Sequence, residues 1–220
     1  MKKKKVFSGF TRTTPEHLLL DAGAFFKNFI YEPGGTGNDT YDSAVSAGKL
    51  IGATKGGGEF SAVPAVRQIE VDGVKGRAKG LEVIDSWDVY LKATVLEATS
   101  ESIKAALCAS TVDTELDAEY DIIEGNSSID LEDYVDNVTW IGKLSGSDSP
   151  VIIQVYNALN TDGLKLTVQD KAEATIPMTF YGHYSQEELD APPFKVFYPK
   201  KKTAGIIESA TEGGKVNEEN

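Results

Sequence analysis

The run from Val83 to Val95 constrains this chain more than any other. Its odd positions read Val83, Asp85, Trp87, Val89, Leu91, Ala93 and Val95; its even positions read Ile84, Ser86, Asp88, Tyr90, Lys92 and Thr94. A period of two places the first set on one face of a sheet and most of the second on the other, which predicts a strand over about 82–98. A second alternating run, Leu164 to Phe180, carries its apolar side chains at even positions. Strands commonly run ~5–6 residues. These two, at roughly 13–17 residues, would each extend ~45–55 Å. Strands that long must curve around a sandwich, break at bulges, or project as a hairpin.

Shorter strands are expected at 49–54, 59–63, 66–72, 118–123, 136–142 and 151–158, with a first strand pair, or a strand and turn, over 17–30. Asp162-Gly163 supplies a turn, so 151–158 and 164–180 are expected to pair as a hairpin, and Pro177 implies an edge position or a bulge. Asp72-Gly73 and the glycines at 76 and 80 mark a turn before the long strand. Residues 32–48 read as a long loop. One helix is expected at about 100–110: Thr99 or Ser100 can cap it, Glu101 suits its first turn, and Ile103, Ala106 and Leu107 form its apolar stripe. The chain is therefore mainly β. It divides into a flexible arm at 1–16, one domain at 17–199 and a polar tail at 200–220.

Catalytic patterns are missing. Histidine occurs only at His17 and His183. The sequence holds no G-x-S-x-G elbow, no phosphate-binding G-x-x-x-x-G-K-[ST] loop and no H-E-x-x-H pair. The glycine clusters at 34–37 and 55–58 lack the spacing or the helix that phosphate binding requires and read as flexible or tightly turning backbone. The lone Cys108 falls in the helical stretch, where a small buried hydrophobe is the expected role. No enzymatic activity, cofactor or metal is expected. The basic start has no apolar stretch behind it and no run of ~18 apolar residues follows, so neither a signal peptide nor a membrane span is expected.

Charge is the remaining clue. The net charge is −12, which opposes clamping of nucleic acid yet suits a wall past which nucleic acid slides. Residues 113–136 hold ten acids and no Lys or Arg. Asp113, Glu115, Asp117, Glu119 and Asp121 alternate, so in an extended chain they share one side. With Glu124 they loosely resemble a calcium loop, although Ala118 stands where the glycine belongs. Lys75, Arg77 and Lys79 cluster with the opposite sign on the glycine-rich turn. Opposite patches on one molecule suit head-to-tail contact between copies.

Residues 52–107 resemble the major tail (tail tube) proteins of long-tailed phages and prophages of Gram-positive bacteria. The likeness is carried by G-x-T-x-G-G-G-x-F at 52–60, R-x-I-E-V-D-G at 67–73, K-G-L-x-x-I-D-S-W at 79–87 and L-x-A-x-V-L-E-A-T at 91–99. It implies a β-sandwich of two packed antiparallel sheets with one flanking helix, a long loop and extended terminal arms. It also implies six copies closing into a ring, and rings stacking into a hollow tube that passes double-stranded DNA without specific binding. The implied setting is the virion tail, with tape-measure and tail-terminator proteins as partners. Lys75, Arg77 and Lys79 become candidates for subunit contact, and the five acids from Asp113 to Asp121 candidates for a lumen lining or an outer surface. Two other readings remain open: the tube of a phage-derived injection or bacteriocin particle, and a calcium-dependent binding module.

Overall fold

The computed structural model describes residues 8–200. Residues 1–7 of the expected arm at 1–16 and residues 201–220 of the expected tail at 200–220 lie outside the described residues. Within residues 8–16, Thr14 opens a single 3-10 turn that ends at His17.

The domain is a mainly-β sandwich. One layer is built from β1 (Leu19–Lys27), β6 (Val135–Leu144), β7 (Val151–Asn160) and β10 (Phe194–Phe197). The other is built from β2 (Thr54–Gln68), β3 (Glu82–Val95) and β9 (Ala172–Tyr181), with β8 (Thr167–Gln169) beside β9. The layers are one continuous antiparallel sheet, ordered β1-β6-β7-β9-β3-β2 and folded over on itself. The seam is narrow: β7 meets β9 only through Leu159–Tyr181 and Asn160–Phe180. Phe25, Val138 and Val155 from one layer pack against Val89, Leu91, Val95, Met178 and Phe180 from the other. Their burial removes apolar surface from water, the main stabilising term.

The outer strands of this order, β1 and β2, come together without pairing as strands. Gly58 permits the approach. A Cβ there would lie 2.3 Å from the Phe25 ring and 2.5 Å from the Lys92 carbonyl oxygen. Just before it, Gly56 and Gly57 take φ of +81° and +74°, and the β2–β3 register shifts between Thr54 and Gly58. The glycine cluster at 55–58 is thus a bulge that lets an edge strand turn toward β1.

Several local expectations need correction. The strands expected at 59–63 and 66–72 are parts of one strand, β2, which ends at Gln68. Pro64 does not interrupt it, because β2 is an edge strand. Its partner Trp87 also turns its N–H away, to the Tyr184 hydroxyl at 2.8 Å. The strand expected at 49–54 reduces to a single bridge, Phe26–Leu50. The loop at 32–48 contains a short helix, α1 (Tyr41–Ser46), started by a reciprocal Thr40–Ser43 capping box. Residues 164–180 are two strands rather than one. They are broken at Lys171, whose φ of +59° makes the β8–β9 turn. The main partner of β9 is therefore β3 (Tyr90–Val95) rather than 151–158.

The expected helix forms as α2 (Ser100–Ala106), capped by Thr99 and Ser102. It stops four residues early because the Asn160 side-chain amide takes the Ala106 carbonyl at 2.9 Å. Cys108 consequently lies beyond the helix, half-buried. A small hairpin follows, β4 (Ser110–Asp113) with β5 (Ile122–Gly125).

Candidate interaction surface

The feature that no core reason explains is the outer half of the β2–β3 hairpin. Up to Tyr90, β3 is flanked by β2 on one side and β9 on the other. At Trp87 the Tyr184 hydroxyl replaces a strand partner. Beyond it, β3 pairs with β2 alone, through Pro64–Trp87, Ala65–Ser86, Val66–Ile84, Arg67–Val83 and Gln68–Glu82. This two-stranded ribbon is ~16 Å long at ~3.3 Å per residue, and the loop 69–81 closes it. Phe194 packs against Phe60 and Trp87, with ring centroids 5.7 and 5.4 Å apart, and so anchors the ribbon at its root.

The register shifts between Ala65 and Val66, which leaves Asp85 without an opposing residue. The odd-position face expected for β3 therefore holds only from Trp87 onward. Outside the bulge parity inverts, and Ile84 joins Val66 on the side that Pro64 and Trp87 occupy, because directly opposed residues share a face. Asp85 is held by Arg67, whose Nε lies 3.1 Å from Oδ2 while Nη2 lies 3.2 Å from Oδ1. Both side chains are about half exposed, so this pair shapes the bulge and contributes little stability.

One face of the ribbon is apolar and wet, carrying Val66 and Ile84 beside Pro64, whereas the other mixes Val83 with Ser86 and Arg67. Val63 and Val66 are 56% and 54% exposed, and Ile84 is 52% exposed. Ile69, Val71, Val74 and Val83 are exposed as well. A lone two-stranded hairpin is marginal in water, and a contiguous apolar patch on a soluble surface marks an interaction site.

Lys75, Arg77 and Lys79 sit together on the loop that closes this ribbon, and all three are exposed. No carboxylate among the described residues lies within ion-pair distance of them. The loop is folded on itself by Val74 N–H to Val71 O, Leu81 N–H to Ala78 O and Gln68 Nε2 to Gly76 O.

The acidic residues lie elsewhere. Asp113 ends β4, and Glu115, Asp117, Glu119 and Asp121 occupy the exposed loop before β5. They do not share one side of an extended chain, because the backbone there turns. Asp113 Oδ1 accepts the amides of Glu115 and Leu116, and Asp117 Oδ1 accepts those of Glu119 and Tyr120. Two of the five carboxylates therefore serve as turn formers. The basic loop precedes β3 and the acidic hairpin follows α2 at the other end of β3. The 14 residues of β3, ~45 Å of chain at ~3.3 Å per residue, run between the basic loop and the segment that leads into α2.

Sequence reasoning identified the charged loop and offered a projecting hairpin as one of three fates for the long strands, without locating the ribbon at 64–68 and 82–87. Apolar residues at both parities, Val63 and Val66 on β2 with Val83 and Ile84 on β3, were the available signal. His17 is exposed, while His183 is half-buried with Nδ1 2.9 Å from the Asn157 carbonyl oxygen. No protein-family model matches this chain, and no curated protein matches it in sequence.

Proposed function

We propose that this chain is a structural subunit that assembles with copies of itself, specifically the tail tube protein of a long-tailed phage. In this reading six copies close into a ring, rings stack into a tube, and double-stranded DNA passes through the lumen. The observation that carries it is the projecting β2–β3 ribbon, with an exposed apolar face at Val66 and Ile84 and tipped by Lys75, Arg77 and Lys79. The acidic hairpin lies toward the opposite end of β3. A basic, apolar projection at one end and an acidic surface at the other is the arrangement that head-to-tail stacking uses. The motif resemblance across residues 52–107 supplies the particular assembly.

The tube of a phage-derived injection or bacteriocin particle is the same physical object and shares this support. A calcium module at 113–124 is favoured less, since Asp113 and Asp117 already serve their own loop amides.

Electron microscopy of the concentrated protein is expected to show rings or hollow tubes. Val66→Lys with Ile84→Lys is expected to abolish them while leaving the circular dichroism of the body unchanged. A single monomeric species in light scattering at every concentration and ionic strength would sink the proposal. Assembly that requires calcium would favour the binding module.

A further inference from the structure

We propose that Cys108 is a thiolation site, where one zwitterionic low-molecular-weight thiol such as free cysteine seats as a mixed disulfide. The thiol lines a cavity of about 220 Å³ where the end of α2 and the start of β4 meet β7. A cavity of about 150 Å³ holds a benzene-sized group, so a cysteine-sized molecule fits. Because Asn160 stops α2 at Ala106, Cys108 leaves the helix and comes to line this space. Leu159 and Phe180 form its buried apolar wall, and Lys104 and Glu132 stand exposed at its rim.

Ser110 lines the same cavity. The side chain of Thr111 is exposed, and alternation along β4 turns Ser110 the other way, toward the body, where it is 6% exposed. Its Oγ is the only buried side-chain polar atom among the described residues that has no hydrogen-bond partner. Buried hydroxyls are almost always paired, because an unpaired one has lost its water without replacement. A polar molecule in the cavity supplies the partner. The rim charges define its class. Lys27 is held by Glu101 at 2.6 Å, and Asp133 Oδ2 accepts the Asp130 amide at 2.8 Å. Among the described residues no carboxylate lies within ion-pair distance of Lys104, and no cation within that distance of Glu132. One cation and one anion at one rim match the carboxylate and the ammonium of an amino acid.

The Cys108 thiolate attacks one sulfur of a symmetrical disulfide such as cystine. A bond forms between Cys108 Sγ and that sulfur, and the S–S bond of the disulfide breaks. The second cysteine leaves as a thiolate and takes up the proton that Cys108 released. The incoming disulfide is the oxidant, so no further one is needed. Ser110 Oγ hydrogen-bonds the half that stays.

The site stands independently of tube formation, and its test uses the full chain, in which Cys108 is the one cysteine. The protein is equilibrated with cystine or with the neutral hydroxyethyl disulfide, folded and in urea, and adducts are read by intact-mass spectrometry. One cysteine adduct per chain is expected. Relative to the unfolded chain, folding should favour cystine over the neutral disulfide roughly tenfold, the effect of one charge-assisted contact. Ser110→Ala is expected to keep or raise Tm, since it removes an unsatisfied hydroxyl, yet to lower the adduct equilibrium constant about fivefold, one neutral hydrogen bond. A serine with a purely structural role would not divide the two readouts in this way. A folded chain that takes no adduct overturns the proposal, as does a preference for cystine no greater than that of the unfolded chain. A disulfide-linked dimer in place of the adduct also overturns it. So does a Ser110→Ala variant with an unchanged adduct constant, or with a lower Tm, which would mean that the hydroxyl already has a partner.

Discussion

Ala62 faces Val89 across the β2–β3 ladder, and Val66 faces Ile84 a few residues further out. Both are apolar antiparallel pairs on the same two strands. Val89 is 1% exposed, whereas Ile84 is 52% exposed. The inner pair has the opposite layer over it and lies where β9 joins the sheet; the outer pair has neither. Pairing alone does not bury a β ribbon. Burial requires a third strand or a covering layer, and pairing with β2 supplies neither to the outer half of this hairpin.

The contrast can be broken most directly by truncating matched positions. Leu91→Ala is expected to cost about 2–5 kcal/mol, as core leucine truncations do. Ile84→Ala is expected to stay within about 0.5 kcal/mol in the monomer. Urea titration of the two variants checks both, and equal losses would mean that the ribbon is covered in solution. Gly58→Ala tests the closure between β1 and β2. Its methyl group meets Phe25 and the Lys92 carbonyl, so an overpacking cost of about 1–3 kcal/mol is expected, read as a fall in Cm at constant m-value. Thr99→Ala removes the α2 cap and should cost about 1 kcal/mol, visible as a lower Tm. Arg67→Ala on the ribbon is expected to cost at most about 1 kcal/mol, since that ion pair is solvent-exposed.

One body contact adds a pH signature. Asp39 accepts the Ile30 amide at 2.8 Å and the Lys49 ammonium at 2.6 Å, joining the loop before α1 to the segment after it. Partial burial pushes its carboxyl upward, but the Lys49 and Ile30 hydrogen bonds outweigh this and hold it below the ordinary value of 3.8. A depressed carboxyl contributes stability that is present above the unfolded pKa and is lost as the pH falls through the lower folded one. Asp39→Asn should therefore flatten the acid limb of the stability profile below about pH 4. Chemical denaturation at several pH values measures this, and an unchanged acid limb would exclude the clasp.

The regular parts of this fold were legible because their signals are local. Alternation located β3, and the strands expected at 136–142 and 151–158 fall within β6 and β7. A Thr capped α2 as expected. What the sequence concealed depends on contacts distant along the chain. Asn160 ends α2 from 54 residues away, and Tyr184 ends the three-stranded part of the sheet from 97 residues away. The bulge at Asp85 inverts parity without changing composition, so the pattern at Val83 and Ile84 pointed to the wrong faces. At the candidate surface, Lys75, Arg77 and Lys79 were readable as a charged turn. The apolar ribbon beneath them was not, because valines on both faces look alike in sequence whether a layer covers them or water does.

The hydroxyl of Tyr184 on the Trp87 amide marks a border in time as well as in space. Proteins open in cooperative units, and a segment held by few buried contacts opens without the rest. Inward of Trp87, amides exchange with solvent only when the sandwich opens. Outward, at 64–68 and 82–86, each opening need break only the two-stranded ladder. Hydrogen exchange of the isolated chain should therefore step sharply at residue 87, with the ribbon opening and reclosing many times during the lifetime of one folded body.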